Sequence, residues 1–167
     1  ASVINDMLKN PDKLKLGGDK KDLTVLFSDI RGFTTISEKL TPQELVSLLN
    51  EYLTAMTGKV FLYDGLLDKY IGDAIMAVFG APLSQPDHAR RACLTALDMM
   101  AELKKLRAKW KAEGRPDVNI GIGISTGDMV VGNMGSDMRF DYTVMGDMVN
   151  LGSRLEGINK EYGTNIV

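Results

Sequence analysis

The sequence predicts an α+β domain in which helices cover a mainly antiparallel sheet. Two observations carry this prediction: short β-branched and aromatic runs end at turns with glycine and aspartate, and longer segments between them have apolar residues at helical spacing. The chain has 167 residues, 44% hydrophobic and 25% charged, which is typical of one globular domain. The first residues are polar and broken by Pro11 and Gly17-Gly18, so we expect a linker at 1–22 and one domain at 23–167.

The first half of the domain should contain a strand, a helix and a hairpin. The run TVLF at 24–27 suits a buried strand. Thr41, Pro42 and Glu44 supply a helix start, with a threonine cap, a proline in the first position and the glutamate of a capping box. Two apolar runs that meet at Gly72-Asp73 indicate a hairpin with a tight turn. The helix keeps one apolar face, which consists of Leu45, Leu48, Leu49, Tyr52, Leu53 and Met56.

The second half should contain two further helices and several short strands. A long helix is expected from about Asp87 to Glu113, then two short strands separated by Gly127-Asp128, a strand at FDYTVMG, and a helix that ends at Gly163. The predicted element order is therefore β-α-β-β-α-β-β-β-α-β. Gly121 and Gly123 would weaken a strand unless another backbone or a ligand comes close. The long helix should bury Ala89, Ala92, Cys93, Ala96, Leu97, Met100 and Leu103.

Two residues that often carry chemistry are given structural positions. His88 stands in the first turn of the long helix without a partner motif, so we expect a solvated side chain rather than a ligand or base. Cys93 is the one cysteine, which excludes an internal disulfide and fits a reducing compartment. We expect it to be a small buried hydrophobic residue.

Charge and hydropathy exclude two classes of partner. A net charge of −2 and a pI near 5.4 supply no basic field for a polyanionic strand, so nucleic-acid binding is not expected. No apolar run approaches the roughly 20 residues that a membrane span needs. We therefore expect a cytoplasmic segment that makes no membrane contact of its own.

Two aspartates at strand ends predict a metal site. Asp29 closes the first strand and Asp73 lies in the hairpin turn, so both carboxylates meet at one edge if these strands are neighbours. Hard oxygen ligands in this arrangement suit two divalent cations, Mg²⁺ or Mn²⁺, which can serve phosphoryl transfer. Between the two aspartates, the backbone of Gly32, Phe33 and Thr34 could form a nest for a polyphosphate. Each aspartate alone is also an ordinary turn residue.

Four blocks in order make the sequence similar to a known family. LFSDIRGFT, DKYIGDAIMAVFGAP, GIGISTGDMVVGNMG and YTVMGDMVNLGSRLE closely resemble the catalytic domain of the class III nucleotidyl cyclases, and the likeness runs from about Leu23 to the last residue. The resemblance implies a ferredoxin-like core shared with polymerase palms, and a homodimer with shared active sites. It also implies a reaction, in which the 3′-hydroxyl of a nucleoside triphosphate attacks its own α-phosphorus to give a 3′,5′-cyclic monophosphate and pyrophosphate.

The resemblance also assigns roles to matching positions. Asp29 and Asp73 match the metal-binding pair, and Ile30 matches the residue between them that donates a backbone carbonyl or packs. Asn150 and Arg154 match the pair that orients the ribose and stabilises the α-phosphate. Spaced four apart, these two share one helix face, and arginine offers a planar fork of donors to phosphate oxygens. Without the family context, they would be a helix-start asparagine and a solvated arginine.

Base selection should depend on Lys69 and Thr143. In the resembled family, lysine with aspartate or threonine reads adenine, whereas guanylate-forming members usually carry glutamate and cysteine or a similar pair. A lysine can only donate, which suits adenine N1, and the threonine hydroxyl can accept from the exocyclic amine. Singly, the two are a charged strand residue and a β-former. The resemblance gives no catalytic role to the remaining carboxylates in turn-rich segments, which are Asp68, Asp128, Asp137, Asp141 and Asp147.

The ends of the sequence indicate a larger parent protein. The resembled domain continues after YGTNIV with strands that carry a second phosphate-binding lysine, so we expect a domain truncated at Val167. The first residues resemble the junction to an upstream sensor in bacterial, and in some cases membrane-anchored, signalling proteins. The leading interpretation is an adenylate cyclase that converts ATP. The alternatives are a weakly active or inactive regulatory nucleotide-binding domain and a guanylate cyclase.

Overall fold

The structure, a computed structural model, describes residues 16–167. These residues form five strands and four helices, which confirms the α+β class. The division into a linker at 1–22 and a domain at 23–167 stays a prediction, and most of that linker lies outside the described residues. In chain order the elements are β1 (Gly17–Ile30), α1 (Phe33–Ser37), α2 (Pro42–Leu62), β2 (Leu66–Ile71), β3 (Ala74–Phe79), α3 (His88–Ala112), β4 (Ile120–Ser136), β5 (Arg139–Met145) and α4 (Asp147–Tyr162).

The five strands form one sheet in the order β2-β3-β1-β4-β5, and each neighbouring pair is antiparallel. The first four strands in this order, β2, β3, β1 and β4, come from a β-α-β-β-α-β unit. This is the ferredoxin-like arrangement that the family resemblance implies. The hairpin between β2 and β3 turns at Gly72-Asp73, as predicted, with Ile71 opposite Ala74. Gly72 takes a positive φ of 63° that suits glycine in this turn.

Strand lengths differ from the prediction in the long β1–β4 pair. β1 begins at Gly17 rather than near Leu23, and β4 is one continuous strand where two were expected. The two differences have one cause, because Gly127 and Asp128 pair with the early part of β1, and this pairing carries β4 straight through. The last predicted strand is reduced to a parallel bridge between Ile166 and Ile122.

The helices α2 and α3 cover one face of the sheet. Thr41 caps α2 in a complete capping box with Glu44, as the sequence predicts, and Leu48, Tyr52 and Met56 are buried. Gly163 ends α4 in the left-handed conformation expected of a C-cap glycine. Among residues 16–167, no helix combines the length and apolar character needed to cross a membrane.

The buried face of α3 is turned relative to the prediction. Cys93 and Leu97 are exposed, so their predicted burial is wrong. The core face instead consists of Ala92, Thr95, Ala96, Met99, Leu103, Leu106 and Trp110. Ala92 and Ala96 belong to both the predicted and the observed face, so they do not distinguish the two. The bulky residues Leu106 and Trp110, which fix the rotation of the helix, lie in its second half.

His88 is not solvated, which corrects a second expectation. Its Nδ1 shares a hydrogen bond of 2.7 Å with the buried Thr24 hydroxyl, and its side chain is 12% exposed. The first turn of α3 thus lies directly on β1. This contact joins residues far apart in sequence, so local patterns in the chain do not reveal it.

The sheet is curved, so that its two edges approach each other. A second core cluster on the face opposite α2 and α3 combines Val78 of β3 with Met129 and Val131 of β4 and Val144 of β5. Asp68 of β2 and Thr143 of β5 lie on opposite edge strands, yet their side chains are hydrogen-bonded at 2.5 Å. The curvature therefore places the end of β5 beside β2.

Candidate functional site

The two predicted metal aspartates lie side by side at one end of the sheet. Antiparallel pairing sets Ser28 of β1 opposite Ile75 of β3, which brings the end of β1 next to the hairpin turn. A carboxylate oxygen of Asp73 accepts a hydrogen bond of 3.0 Å from the backbone N–H of Ile30. The buried Ile30 side chain packs in the core and holds this strand end in place.

The electrostatics of this pair favour a bound cation. Burial, the adjacent carboxyl of Asp73 and the charge of Glu156 raise the pKa of Asp29 to about 7. Two crowded carboxylates repel each other when both are ionised, and a cation between them removes that repulsion. Within residues 16–167, no group of three or more His, Cys, Asp or Glu side chains could hold a metal ion. Two carboxylates nevertheless fit Mg²⁺, which proteins often hold by one or two carboxylates completed by substrate phosphates.

This electrostatic strain gives a testable stability effect. We expect Asp29→Asn to raise the melting temperature of the metal-free protein at about pH 8, and to raise it less at about pH 5. A carboxyl whose pKa is raised to about 7 on folding contributes stability at low pH that is lost as the pH rises through that value. Asparagine does not ionise, so the variant does not lose this stability as the pH rises.

Thermal melts in the presence of a chelator at both pH values measure this difference. Added Mn²⁺ should then stabilise the wild type more than the variant, since the variant lacks one charged ligand. If Asp29→Asn raised the melting temperature more at the lower pH than at the higher pH, the raised pKa assigned to Asp29 would be contradicted.

The segment that was predicted to bind phosphate, Gly32 to Thr34, follows strand β1 directly. Gly32 has a positive φ of 61° and begins the short helix α1, which includes Phe33 and Thr34. This helix was not predicted, because five residues are too few to show a helical periodicity in the sequence. Phe33 packs on the main core, whereas Gly32 and Thr34 are exposed beside the aspartate pair. Their role in phosphate binding stays a prediction.

The helix α4 carries Asn150 and Arg154 on an exposed face. Its opposite face is pressed against β4, where a Cβ on Gly123 would collide with the backbone of Gly152 and Glu156. At Gly123, another backbone thus comes close, which is one of the two conditions under which a glycine was expected in this strand. In the described range 16–167, no hydrogen bond or ion pair joins either α4 residue to the aspartate pair.

An ion pair that was not predicted from the sequence connects α4 to the residue that follows β1. Arg31 and Glu156 are both mostly buried, with Nη1 and Oε1 3.6 Å apart. A Cβ on Gly121 would occupy the space of the Arg31 guanidinium. No periodic or spacing signal in the sequence connects these residues.

The two predicted base-reading residues are brought together by a third residue. Lys69 Nζ lies 3.6 Å from one carboxylate oxygen of Asp68, and the Thr143 hydroxyl donates to the other oxygen at 2.5 Å. Lys69 and Thr143 come from β2 and β5 and share this one partner. Asp68 was assigned a structural position from the sequence. The signal that could have revealed it is its place immediately before Lys69 on the same strand, β2.

Comparisons with known proteins identify the family of the chain. The family model described as adenylate and guanylate cyclase catalytic domain matches residues 18–166. Adenylate cyclase 1 of Rhizobium meliloti (strain 1021) is 40% identical over 148 residues, which cover 89% of this chain and 22% of that protein. An adenylate cyclase of Anabaena cylindrica is 41% identical over 146 residues, or 87% of this chain and 29% of that protein.

Solved structures of both substrate types are similar to the chain. The adenylyl cyclase CyaB from P. aeruginosa has a TM-score of 0.81 and 45% identity, covering 85% of this chain and 74% of that one. The guanylyl cyclase Cya2 also has a TM-score of 0.81, with 42% identity and coverages of 85% and 72%. Together with the aspartate pair at the sheet end and the match to residues 18–166, these similarities show that the chain belongs to the class III nucleotidyl cyclases, the family of adenylate and guanylate cyclase catalytic domains.

Proposed function

We propose that the chain is an adenylate cyclase domain, a phosphorus-oxygen lyase that converts ATP to 3′,5′-cyclic AMP and pyrophosphate. The observation that carries this proposal is the carboxylate pair of Asp29 and Asp73, held at one end of the sheet by the Ile30 hydrogen bond. The relatives from Rhizobium meliloti and Anabaena cylindrica, both named adenylate cyclases, support it.

Two divalent cations, Mg²⁺ or Mn²⁺, would be held by the two carboxylates and the backbone of Ile30, and would supply charge stabilisation at the attacking and leaving oxygens. The chain's own residues do the rest. Gly32, Phe33 and Thr34 present backbone N–H groups to the polyphosphate. Arg154 donates to the α-phosphate oxygens, where negative charge gathers in the transition state, and Asn150 orients the ribose.

A homodimer with shared sites accounts for where these groups lie. Asn150 and Arg154 are exposed, and within residues 16–167 no hydrogen bond or ion pair joins them to the aspartates of their own chain. A second protomer related by a two-fold axis would complete each site with its own α4. An apolar groove lined by Val130, Met134 and Met145 beside the start of α4 supports the docking of a second chain.

Adenine selection follows from the donor and acceptor pattern of the base-reading pair. We expect Lys69→Glu combined with Thr143→Cys to lower the preference for ATP over GTP, because the glutamate accepts where the lysine donated. The measurement is the ratio of kcat/KM for the two substrates. Absolute rates should fall as well, since a pocket changed at two points loses positioning. A ratio equal to that of the wild type would show that these residues do not read the base.

The decisive experiment is cyclic-nucleotide production from ATP and from GTP in the presence of Mn²⁺. Formation of cyclic AMP in clear excess supports the proposal. Formation of cyclic GMP from GTP in excess favours guanylate cyclase, which the likeness to Cya2 keeps as the second candidate. Nucleotide binding without turnover of either substrate favours a regulatory domain.

The parent protein is proposed to be larger than this chain. The chain spans 22% and 29% of the two curated relatives described above. We infer a cytoplasmic catalytic segment attached to an upstream sensor in a bacterial signalling protein, with the parent anchored to the membrane in some architectures. Limited proteolysis and mass spectrometry of the native protein would test this organisation.

A further inference from the structure

Asp68 is a buried acid that contacts both residues proposed to read the nucleobase, Lys69 and Thr143. Its side chain is 1% exposed, whereas the neighbouring Lys69 side chain is 41% exposed. One carboxylate oxygen accepts the Thr143 hydroxyl, and the other lies near the Lys69 ammonium with no hydrogen-bond partner in the described structure. A charge so removed from water is costly unless it is paired, so Asp68 depends on these two contacts.

The contact with Asp68 restricts what Thr143 can do. A threonine hydroxyl has one hydrogen to donate and two lone pairs that accept, so alone it can bond either to an amino group or to a carbonyl oxygen. When its hydrogen is taken by Asp68, only the lone pairs remain for a ligand. Thr143 then becomes an acceptor, which suits the exocyclic amino group of adenine and repels the O6 of guanine.

We propose that Asp68 is a positioning residue for nucleobase selection, which fixes Thr143 as an acceptor and keeps the donating Lys69 beside it. The inference rests on the proposed ATP specificity and deepens it. The discrimination resides in the pair Asp68–Thr143 rather than in threonine itself, because threonine alone would tolerate both bases. The polar pattern presented to the ligand is then one donor and one acceptor, which matches adenine N1 and its amino group.

Asp68→Asn tests the proposal, since the amide can donate to Thr143 and release its hydroxyl hydrogen toward the ligand. The substrates are ATP and inosine triphosphate, which carries the N1–H and O6 of guanine without the second amino group. We expect the ratio of kcat/KM for ATP over inosine triphosphate to fall about tenfold or more. Asp68→Ala removes the acceptor without adding a donor, and should shift the ratio in the same direction if the first variant does not fold.

The matched control is Asp98→Asn. Asp98 accepts a comparable hydrogen bond of 2.7 Å from the Tyr63 hydroxyl, between helix α3 and the end of helix α2. This variant should leave the substrate ratio unchanged. If Asp68→Asn lowers kcat/KM for both substrates by the same factor, so that their ratio does not change, Asp68 has only a structural role and the proposal is overturned.

A rescue variant tests the route through Thr143. Aspartate at position 143 accepts without help from a neighbour, so Thr143→Asp in the Asp68→Asn background should restore the preference for ATP. Failure of this double variant to regain the preference, while it folds and binds nucleotide, would overturn the proposed role of Asp68.

Binding measurements separate this proposal from the proposed function. 3′-Deoxy-ATP and 3′-deoxy-inosine triphosphate lack the attacking hydroxyl, so their dissociation constants report base selection without turnover. If the wild type forms no cyclic nucleotide, the proposed function fails, and the ratio of these constants still decides the role of Asp68. Equal binding of both analogues by the wild type would overturn the inference.

Discussion

Asp73→Ala is expected to lower kcat/KM for cyclic-nucleotide formation by about 10²-fold or more, with the fold retained. The carboxylate lies in the exposed hairpin turn between β2 and β3, where it accepts from the Ile30 backbone and adjoins Asp29. Its removal leaves one charged side-chain ligand for the cations. The negative charge that develops at the attacking and leaving oxygens is then largely not neutralised. Initial rates over a range of Mn²⁺ concentrations measure the loss, and circular dichroism confirms the fold.

Two comparison variants sharpen this result. Asp29→Asn preserves shape but removes charge, and should show a loss of similar size. Asp128→Asn removes an exposed aspartate whose partner is Lys20, 2.8 Å away, in the β1–β4 pair. That variant should keep nearly wild-type activity, because surface ion pairs contribute little. Near-normal turnover in Asp73→Ala at low Mn²⁺ would refute the metal assignment.

Mixing two inactive variants should restore activity if the sites are shared between protomers. Asp29→Ala removes a metal ligand, and Asn150→Ala removes a ribose contact on α4. In a mixed dimer one site collects both lesions, while the other combines the intact aspartates of one chain with the intact α4 of its partner. Random exchange should recover about a quarter of the wild-type activity, since half of the dimers are mixed and each has one whole site.

The control mixture combines Asp29→Ala with Asp73→Ala. Both substitutions remove a metal ligand, so every protomer in that mixture contributes a defective pair of aspartates. Every site then carries a defect, and no recovery of activity is expected. Subunit exchange is verified by co-purification of differently tagged chains. Persistent inactivity of the first mixture despite proven exchange would show that each site is built within one chain.

Much of the fold was predictable because its signals are local. The capping box at Thr41 and Glu44, the turn at Gly72-Asp73 and the C-cap at Gly163 each depend on residues close in sequence, and all three are confirmed. The length of β4 was not predictable, since Gly127-Asp128 is a turn signal that pairing with distant β1 overrides. The exposure of Cys93 was missed for a similar reason, because packing with other elements sets the rotation of a helix.

In the candidate site, too, features with local sequence signals were predicted, and contacts between distant residues were not. Asp29 and Asp73 were predicted to be neighbours from two strand ends and one sheet edge, and the structure brings them together. The contact of Asp68 with Thr143 depends on the curvature of the whole sheet, and the ion pair of Arg31 with Glu156 depends on how closely α4 approaches β4. Neither can be read from spacing along the chain.

The pairing of β1 with β4 has a consequence for how the chain is made. Gly17 lies opposite Asn133, and Ile30 lies opposite Ile120. The central strand β1 is therefore synthesised roughly a hundred residues before its partner β4. Until then one edge of β1 is open to strands of other chains. Lys20 and Lys21 are exposed on its early half, and charges on an open edge disfavour intermolecular pairing. We therefore expect these lysines to disfavour aggregation of the nascent chain until β4 emerges.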